Sequence, residues 1–272
     1  MTVLSMTSAN PESIKGRIAL VTGAGSGIGQ AAALRLAAAG AKVAALDQTR
    51  KDLQRTCELI TQGGGEVLPL VADVSRTAPM LRAFDRIRRQ WGRLDIVFAN
   101  AGINGVWAGL HKLRPEDWDQ TIAVNLRGTF LTVKYSVPLM RRRGGAIILT
   151  SSVQGTRIFS NSGASAYATS KAGQVAFARM CALELAAHHI RVNTICPGAV
   201  RTHISARTTV RDSAQQLHLP VKFPRGTVPL TTGQPAAPDQ IADLVLFLAS
   251  DHASHITGTE VFIDGAESLL LG

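Results

Sequence analysis

Residues 22–29 read Thr22-Gly23-Ala24-Gly25-Ser26-Gly27-Ile28-Gly29 and follow directly on the apolar run Ile18-Ala19-Leu20-Val21. The apolar run predicts a buried parallel strand. The alanine-rich stretch at 31–39 predicts a helix that ends near Gly40. A glycine-rich turn between a strand and a helix lets the backbone approach a pyrophosphate, whose charge the helix N-terminus stabilises. Because the glycines alternate and give no clean G-x-G-x-x-G, a flexible strand–helix turn is the alternative interpretation.

Asp47 ends the next strand-like run, Val43-Ala44-Ala45-Leu46, and comes 18 residues after the last glycine of the loop. An acid at this position can accept hydrogen bonds from the ribose hydroxyls of adenosine, and its charge repels a 2′-phosphate. Ser26 and Gln48 add no cation, and Arg50 is the nearest one that follows. The pattern therefore predicts NAD as the cofactor in preference to NADP. Capping of the next helix is the alternative role of Asp47.

Tyr167 and Lys171 are four residues apart in a predicted helix, and Ser152 precedes them. Positions i and i+4 share one helix face, so the ammonium group can lie beside the phenol. A neighbouring positive charge lowers the pKa of a phenol from about 10, and such a tyrosine can exchange a proton with an alcohol or a carbonyl oxygen. The same spacing also occurs by chance on helix surfaces. A nucleotide-binding loop in the same chain favours the catalytic interpretation.

Apolar strand-like runs alternate with helical stretches along the chain. This order predicts an α/β fold, a single doubly wound Rossmann-type parallel sheet of about seven strands with helices on both faces. Pro138 falls inside the longest predicted helix and is expected to kink it. The predicted strands cover 18–22, 43–47, 66–72, 95–99, 145–151, 191–196 and 260–263, and the predicted helices cover 27–39, 50–62, 76–91, 115–142, 165–187 and 238–249.

With these motifs the chain resembles the short-chain dehydrogenase/reductase family from about Lys15 to Gly265. The resemblance implies an NAD(P)-dependent enzyme that interconverts a secondary alcohol and a ketone. It assigns a catalytic tetrad to Asn125, Ser152, Tyr167 and Lys171. It assigns cofactor binding to Gly23, Ser26, Gly27, Ile28, Gly29, Asp47, Asp73, Val74, Asn100, Ala101, Gly102, Tyr167, Lys171, Pro197, Gly198, Val200 and Thr202.

The resemblance also implies a role for each member of the tetrad. Tyr167 transfers the proton, and Lys171 lowers the pKa of Tyr167 while it binds the nicotinamide ribose. Ser152 stabilises the charge that develops on the substrate oxygen. Asn125 holds a water that connects Lys171 to solvent.

Two positions depart from the family's pattern. Ser152 lies 15 residues before Tyr167, which is more than the common spacing. Either the loop 154–166 bulges outward or a neighbour takes the role of the serine, but Ser151 would point to the opposite face of a strand. Ala266 stands where a second glycine is more usual, which concerns packing or subunit contact.

The substrate is predicted from the side chains that flank the tetrad. Their polar character suggests a hydroxylated substrate such as a polyol or sugar; a 3-oxoacyl thioester and a non-enzymatic NAD-binding sensor are the alternatives. Arginines at 157, 201, 207 and 211 leave room for a carboxylate or phosphate, but are also typical of a protein surface. A proline-rich segment at about 203–238 is expected to close over the substrate, the alternative being a disordered insertion. The candidate substrate residues are Asn104, Trp107, Gln154, Arg157, Asn161 and His203.

Charge and composition limit the class of protein. A net charge of +10 is typical of proteins that bind nucleic acids. The basic clusters at 86–89 and 141–143, however, have no interleaved aromatic residues that would stack on bases, so we expect no nucleic-acid partner. No apolar run approaches 18 residues, and we expect no membrane span. The 3 cysteines are widely spaced, which predicts reduced thiols in a cytoplasmic protein and no metal site.

The chain is expected to form one catalytic domain at 14–272, preceded by a flexible N-terminal arm at 1–13. Its hydrophobic content of 46% is enough for a sizeable core. The family resemblance implies that the helices carrying Asn125 and Tyr167 pair across two-fold axes. We therefore expect a homotetramer.

Overall fold

A parallel sheet is the centre of the computed structural model, which describes residues 14–159, 162–202, 204, 208–211 and 226–270. The strands are β1 (Ile18–Thr22), β2 (Lys42–Asp47), β3 (Val67–Val71), β4 (Ile96–Ala99), β5 (Val106–Trp107), β6 (Gly145–Thr150), β7 (Ile190–Pro197), β8 (Thr209–Val210) and β9 (Glu260–Ile263). Seven of them form one sheet in the order β3-β2-β1-β4-β6-β7-β9, and β5 pairs separately with β8. Because the strand order reverses between β1 and β4, a crevice for a ligand is expected at their carboxyl ends. The predicted doubly wound fold is confirmed.

Helices cover both faces of this sheet. They are α1 (Gly27–Ala38), α2 (Arg50–Gln62), α3 (Thr77–Trp91), α4 (Pro115–Ile122), α5 (Gly128–Met140), α6 (Ser165–Leu185), α7 (Pro238–Ala249) and α8 (Glu267–Leu270). Apolar residues of α1, α2 and α7 form one core with alternate strand residues, and those of α3, α5 and α6 form a second core on the opposite face. Within the described ranges, no helix is both long and apolar enough to cross a bilayer.

The central strands β1, β4 and β6 are buried on both faces because nearly all their residues are apolar. Ala19 and Val21 of β1 belong to one core, whereas Ile18 and Leu20 belong to the other. Side chains of a strand alternate between the two faces, so a continuous apolar run is what a sheet covered by helices requires.

The long helix predicted at 115–142 is interrupted at a place the sequence did not indicate. A π-helical turn, Ala123–Arg127, separates α4 from α5 and contains Asn125. Pro138 lies inside α5 without ending the helix. Turns of this kind occur mostly at functional sites, so the irregularity marks Asn125 as a residue whose position matters.

The outer edge of the sheet at β3 contains Pro69. Proline has no backbone N–H, so it offers no donor to a further strand. Its carbonyl oxygen accepts a hydrogen bond from Nη1 of Arg86 on α3, at 3.0 Å. At this position, neither backbone group is available for pairing.

The glycine loop between β1 and α1 is held by close backbone contacts. Gly23 and Gly27 have φ values of 69° and 54°, which glycine adopts without strain. Asn100, at the end of β4, donates from Nδ2 to the carbonyl oxygen of Thr22 at 3.2 Å. A Cβ at Gly29 would lie 2.0 Å from the carbonyl oxygen of Gly23. The chain therefore has no room for a side chain at this turn.

We expect Gly29→Ala to lower the thermal stability markedly, because the added methyl group must displace the backbone of Gly23. Overpacking of this kind costs about 1–3 kcal/mol or more, which corresponds to a fall in Tm of roughly 5 °C in a chain of this size. The matched control is Gly63→Ala, where the nearest atoms would be 3.5 Å away. Calorimetry should show a large fall for Gly29→Ala alone, and equal Tm values for the two variants would contradict the tight packing of the loop.

Candidate active site

A cavity of about 660 Å³ opens at the carboxyl ends of the strands. The residues predicted to bind the cofactor line it, except Gly29, which packs behind Gly23. At one end lie Asp47 and Asp73, and the tetrad residues Ser152, Tyr167 and Lys171 lie at the cavity wall as well. The other lining residues on the predicted list are Gly23, Ser26, Gly27, Ile28, Val74, Asn100, Ala101, Gly102, Pro197, Gly198, Val200 and Thr202.

Asp47 connects the end of β2 to both neighbouring turns. Its Oδ2 accepts from the backbone N–H of Gly25 at 2.9 Å, and its Oδ1 accepts from that of Thr49 at 2.9 Å. Asp47 does not cap α2, whose N-cap residue is Thr49, and each of its carboxylate oxygens can accept a further hydrogen bond. Asp73 likewise accepts from the backbone and hydroxyl of Ser75 at 2.9 and 2.7 Å. The charged side chains at this end of the cavity are acids, which suits the unphosphorylated ribose of NAD.

Ser152 and Tyr167 face each other at the opposite end. The Ser152 oxygen accepts from the backbone N–H of Gln154 at 3.1 Å, so its hydroxyl hydrogen is available for a ligand or for Tyr167. Burial raises the pKa of Tyr167, and a hydrogen bond with Ser152 offsets part of that rise. The Ser151 hydroxyl instead donates to the carbonyl oxygen of Lys171 at 2.8 Å. Ser152 is therefore the serine that faces Tyr167; both serines follow β6, which ends at Thr150, so strand alternation does not explain the difference between them.

The direction of this pKa shift differs from the one predicted for the Tyr167–Lys171 pair. The Nζ atom of Lys171 lies 5.6 Å from the centroid of the Tyr167 ring and donates to the carbonyl oxygen of Thr150 at 2.8 Å. The ammonium group is directed at the end of β6, and the largest influence on the phenol is burial, which disfavours its charged form. In the protein without a ligand, Tyr167 is a protonated phenol.

Lys171 is only 3% exposed. Burial lowers the pKa of its ammonium group to about 8, although the neighbouring Cys196 acts in the opposite direction. The thiol of Cys196 is itself neutral at physiological pH, since burial raises its pKa to about 11. Lys171 therefore remains mostly protonated at neutral pH. One of its three N–H groups donates to the carbonyl oxygen of Thr150, and the other two are available to a ligand.

Asn125 is fully buried in the π-helical turn and does not line the cavity. Its side chain pairs with the backbone of Ile103: Oδ1 accepts from the N–H at 2.8 Å, and Nδ2 donates to the carbonyl at 2.9 Å. Nδ2 also donates to the hydroxyl of Ser170 at 3.0 Å. Asn125 thereby connects the chain after β4 to α6, the helix that carries Tyr167 and Lys171.

Sequence reasoning missed Gln174, whose side chain supports this turn. It is fully buried, and its Nε2 donates to the carbonyl oxygen of Asn125 at 2.9 Å and to the hydroxyl of Thr129 at 2.7 Å. Thr129 donates to the same carbonyl at 2.7 Å. The signal in the sequence was a polar residue three positions after Lys171, on the same helix face as Tyr167 and Lys171.

The predicted substrate residues divide into three groups. Asn104, Trp107 and Gln154 line the cavity. Arg157 does not, because its guanidinium carbon lies 3.4 Å from the ring centroid of Phe262. Asn161 and His203 fall outside the described residues. Glu267 of α8 also lines the cavity, although no motif in the sequence indicates it.

The other arginines considered for an anionic substrate have other surroundings. Arg201 is exposed and Arg211 pairs with Asp117 through Nη2 at 2.7 Å. Arg207 is not among the described residues. Across the part of the chain that the structure describes, no group of three His, Cys, Asp or Glu side chains is placed to bind a metal ion.

Known proteins are similar to this chain along nearly its whole length. The model of a family described as Enoyl-(Acyl carrier protein) reductase matches residues 23–266. This chain belongs to the short-chain dehydrogenase/reductase family. It is an NAD-dependent oxidoreductase that acts on CH–OH donors, and the NAD-binding sensor considered from the sequence is not supported.

Three similar proteins illustrate the family. The 3-oxoacyl-[acyl-carrier-protein] reductase FabG of Thermotoga maritima is 36% identical over 253 residues, covering 93% of this chain and 98% of that protein. The crystal structure of a 3-ketoacyl-ACP reductase from Sinorhizobium meliloti 1021 has a TM-score of 0.90 at 51% identity, covering 93% and 99% of the two chains. The structure of carveol dehydrogenase from Mycobacterium avium in complex with NAD has a TM-score of 0.82 at 32% identity, covering 95% and 99%.

We expect Lys171→Met to abolish turnover by this dehydrogenase/reductase without lowering its stability at pH 7. The lowered pKa corresponds to a cost of about 3 kcal/mol for burying the ammonium group, which is comparable with the roughly 1–3 kcal/mol lost when the carbonyl of Thr150 has no partner. Below pH 8 the folded and unfolded states both carry the charge. Between pH 8 and 10.5 the folded state loses its proton first, so the stability of the wild type rises with pH.

The measurement is urea unfolding of both proteins at pH 7 and at pH 10. The wild type should gain about 2 kcal/mol relative to the variant over that interval. Lys51→Met, at an exposed position on α2, is the control and should show no such change. A wild-type advantage that stays constant from pH 7 to pH 10 would contradict the lowered pKa of Lys171.

Proposed function

We propose that the enzyme interconverts a secondary alcohol and a ketone on a small, uncharged, hydroxylated substrate such as a polyol or sugar. The observation that carries the proposal is the character of the cavity beside Ser152 and Tyr167. Asn104 and Gln154 contribute amide groups there, whereas Nε1 of Trp107 donates to the carbonyl oxygen of Asn104 at 3.2 Å, and no described arginine lines the cavity. A hydrogen-bonding wall without such cations suits hydroxyl groups better than a carboxylate or phosphate.

The proposed roles of the tetrad follow from the hydrogen bonds of the protein. When bound, NAD supplies the carbon that accepts or donates the hydride. Tyr167, held as a phenol by burial, donates its proton to a ketone oxygen, or takes one from an alcohol in the reverse direction. The hydroxyl of Ser152 donates to the same oxygen and stabilises its developing charge.

Lys171 and Asn125 act behind the phenol. The two free N–H groups of Lys171 bind the nicotinamide ribose and stabilise the tyrosinate. A Cβ at Gly102 would lie 3.3 Å from Oδ1 of Asn125 and 3.5 Å from Nζ of Lys171, so these two atoms are neighbours. Both acceptor positions of the Asn125 carbonyl are used by Thr129 and Gln174. We infer that Oδ1 is the atom of Asn125 that holds a water beside Lys171.

Reduction of a 3-oxoacyl thioester is the second candidate, because proteins of that name are among the similar ones. It uses the same tetrad and differs only in what the outer part of the cavity must accommodate. The segment at 203–238, which we propose to cover the substrate, supports neither candidate over the other. Its described residues Ile204, Thr227 and Pro235 line the cavity.

We expect Tyr167→Phe to lower kcat by about a thousandfold, because it removes the proton that the reaction requires. Binding of NADH, followed by fluorescence titration, should change little. Tyr135→Phe is the matched control, since Tyr135 packs on Phe84 at 5.8 Å between ring centroids, away from the cavity. Substrates are compared with NAD: polyols and sugars against 3-hydroxyacyl thioesters. Activity confined to the thioesters would contradict the polyol proposal, and a Tyr167→Phe enzyme with near-normal kcat would contradict the role of the tyrosine.

We also propose a cytoplasmic homotetramer. Support for the compartment comes from the cysteines, which are all free thiols. Support for assembly comes from apolar side chains on the outer faces of α5 and α6. Met180 and Leu183 are 58% and 76% exposed, beside the edge-to-face pair of Phe130 and Phe177. A second copy of the chain would remove this surface from water.

Light scattering should therefore give the mass of four chains for the wild type. Leu183→Glu is expected to reduce that mass, because a carboxylate would be buried in the interface without a partner. Leu59→Glu, at a partly exposed position on α2, should leave the mass unchanged. A wild-type monomer would refute the assembly.

A further inference from the structure

The carboxylate of Glu267 lies in the wall of the catalytic cavity, and we propose that it recognises a second polar hydrogen of the substrate. The ligand it would take is a secondary alcohol, or the corresponding ketone, with a hydroxyl or ammonium group besides the reacting oxygen. This inference rests on the proposed function and adds to it the residue that selects the substrate.

Glu267 is placed by the backbone that surrounds it. It begins α8, after β9 has brought the chain back to the ligand-binding edge of the sheet. Its Oε2 accepts from the backbone N–H of Ala199 at 2.6 Å. A Cβ at Gly198 would lie 2.4 Å from the same oxygen, so glycine is needed for the carboxylate to come this close. The side chain is therefore fixed against the segment that follows β7.

The carboxylate is incompletely paired. Among the described residues, its side chain accepts a hydrogen bond from one backbone N–H and forms no ion pair with a cation. Burial raises the pKa of Glu267, and the nearby negative charge of Asp264 acts in the same direction. A partly desolvated carboxylate can accept several hydrogen bonds, and buried acceptors are normally satisfied. Oε1 is thus an acceptor in this wall that is available to a ligand.

The charges around the cavity decide which ligands this acceptor favours. Arg157, the nearest candidate cation, stacks on Phe262 and does not line the cavity. Lys171 does line it, but its ammonium group is directed at Thr150. A substrate carboxylate near Glu267 would meet a like charge without a compensating cation, whereas a hydroxyl or ammonium group would donate to Oε1.

The test compares four substrates of similar size with NAD: 2-butanol, 2,3-butanediol, 3-amino-2-butanol and 3-hydroxybutyrate. The wild type should use the diol or the amino alcohol with a kcat/KM about tenfold or more above that of 2-butanol, as expected of a hydrogen bond to a charged group. 3-Hydroxybutyrate should be the poorest. Whether the diol or the amino alcohol is better identifies the donor.

Glu267→Gln should remove this preference. The amide oxygen can still accept from Ala199, which directs the NH₂ group, a donor, at the ligand. The advantage of the diol should fall about tenfold, while turnover of 2-butanol and NADH binding stay close to wild type. Glu58→Gln, at an exposed position on α2, loses the same charge outside the cavity and should keep the preference.

Each other result has a distinct meaning. A wild type that uses 2-butanol as well as the diol and the amino alcohol overturns the role of Glu267 and leaves the proposed reaction intact. Equal loss of activity on all substrates in Glu267→Gln shows a structural role only and also overturns it. Turnover of thioesters but of none of the four alcohols refutes the proposed substrate class itself. If Glu267→Gln does not fold, the order of the four substrates with the wild type decides.

Discussion

The hydrogen bond from the Lys171 ammonium group to the carbonyl oxygen of Thr150 is the contact on which the catalytic centre depends. It joins helix α6 to the carboxyl end of β6, and the Ser151 hydroxyl adds a second connection to the same turn of the helix. A charge is placed here in an apolar environment, at a free-energy cost that the packing of α6 on the sheet must offset. These two hydrogen bonds fix α6 against the end of β6, and Tyr167 of the same helix is thereby held next to Ser152.

A second set of buried hydrogen bonds, made by Asn125, connects the chain after β4 to the helix that carries Lys171. Asn125 uses its side chain to join the chain after β4 to α6, and the carbonyl of the same residue is saturated by Thr129 and Gln174. These contacts meet at the one residue of the π-helical turn whose side chain and carbonyl both bond to α6. The π-helical turn is therefore bonded directly to the helix that carries Tyr167 and Lys171.

Much of the fold and part of the site could be predicted from residue patterns, because those patterns express local rules. Strands buried on both faces are largely apolar, and the close approach of Gly29 to Gly23 allows no side chain. The rest depends on contacts between distant parts of the chain. The pKa of Tyr167 rises because the side chain is buried. Arg157 lies away from the cavity because its guanidinium group stacks on the ring of Phe262. Glu267 reaches the cavity because it follows β9, the last strand of the sheet. None of these has a signature in sequence spacing.

The edge of the sheet at β3 has a consequence for how copies of the chain can meet. An exposed strand normally invites a strand of another molecule, which leads to open-ended aggregation. At Pro69 the donor is missing and the acceptor is occupied by Arg86, so a foreign strand would find a gap in its ladder. The proline therefore hinders the addition of further strands at this edge of the sheet. It leaves association to the apolar faces of helices, where a closed, symmetric assembly can be reached.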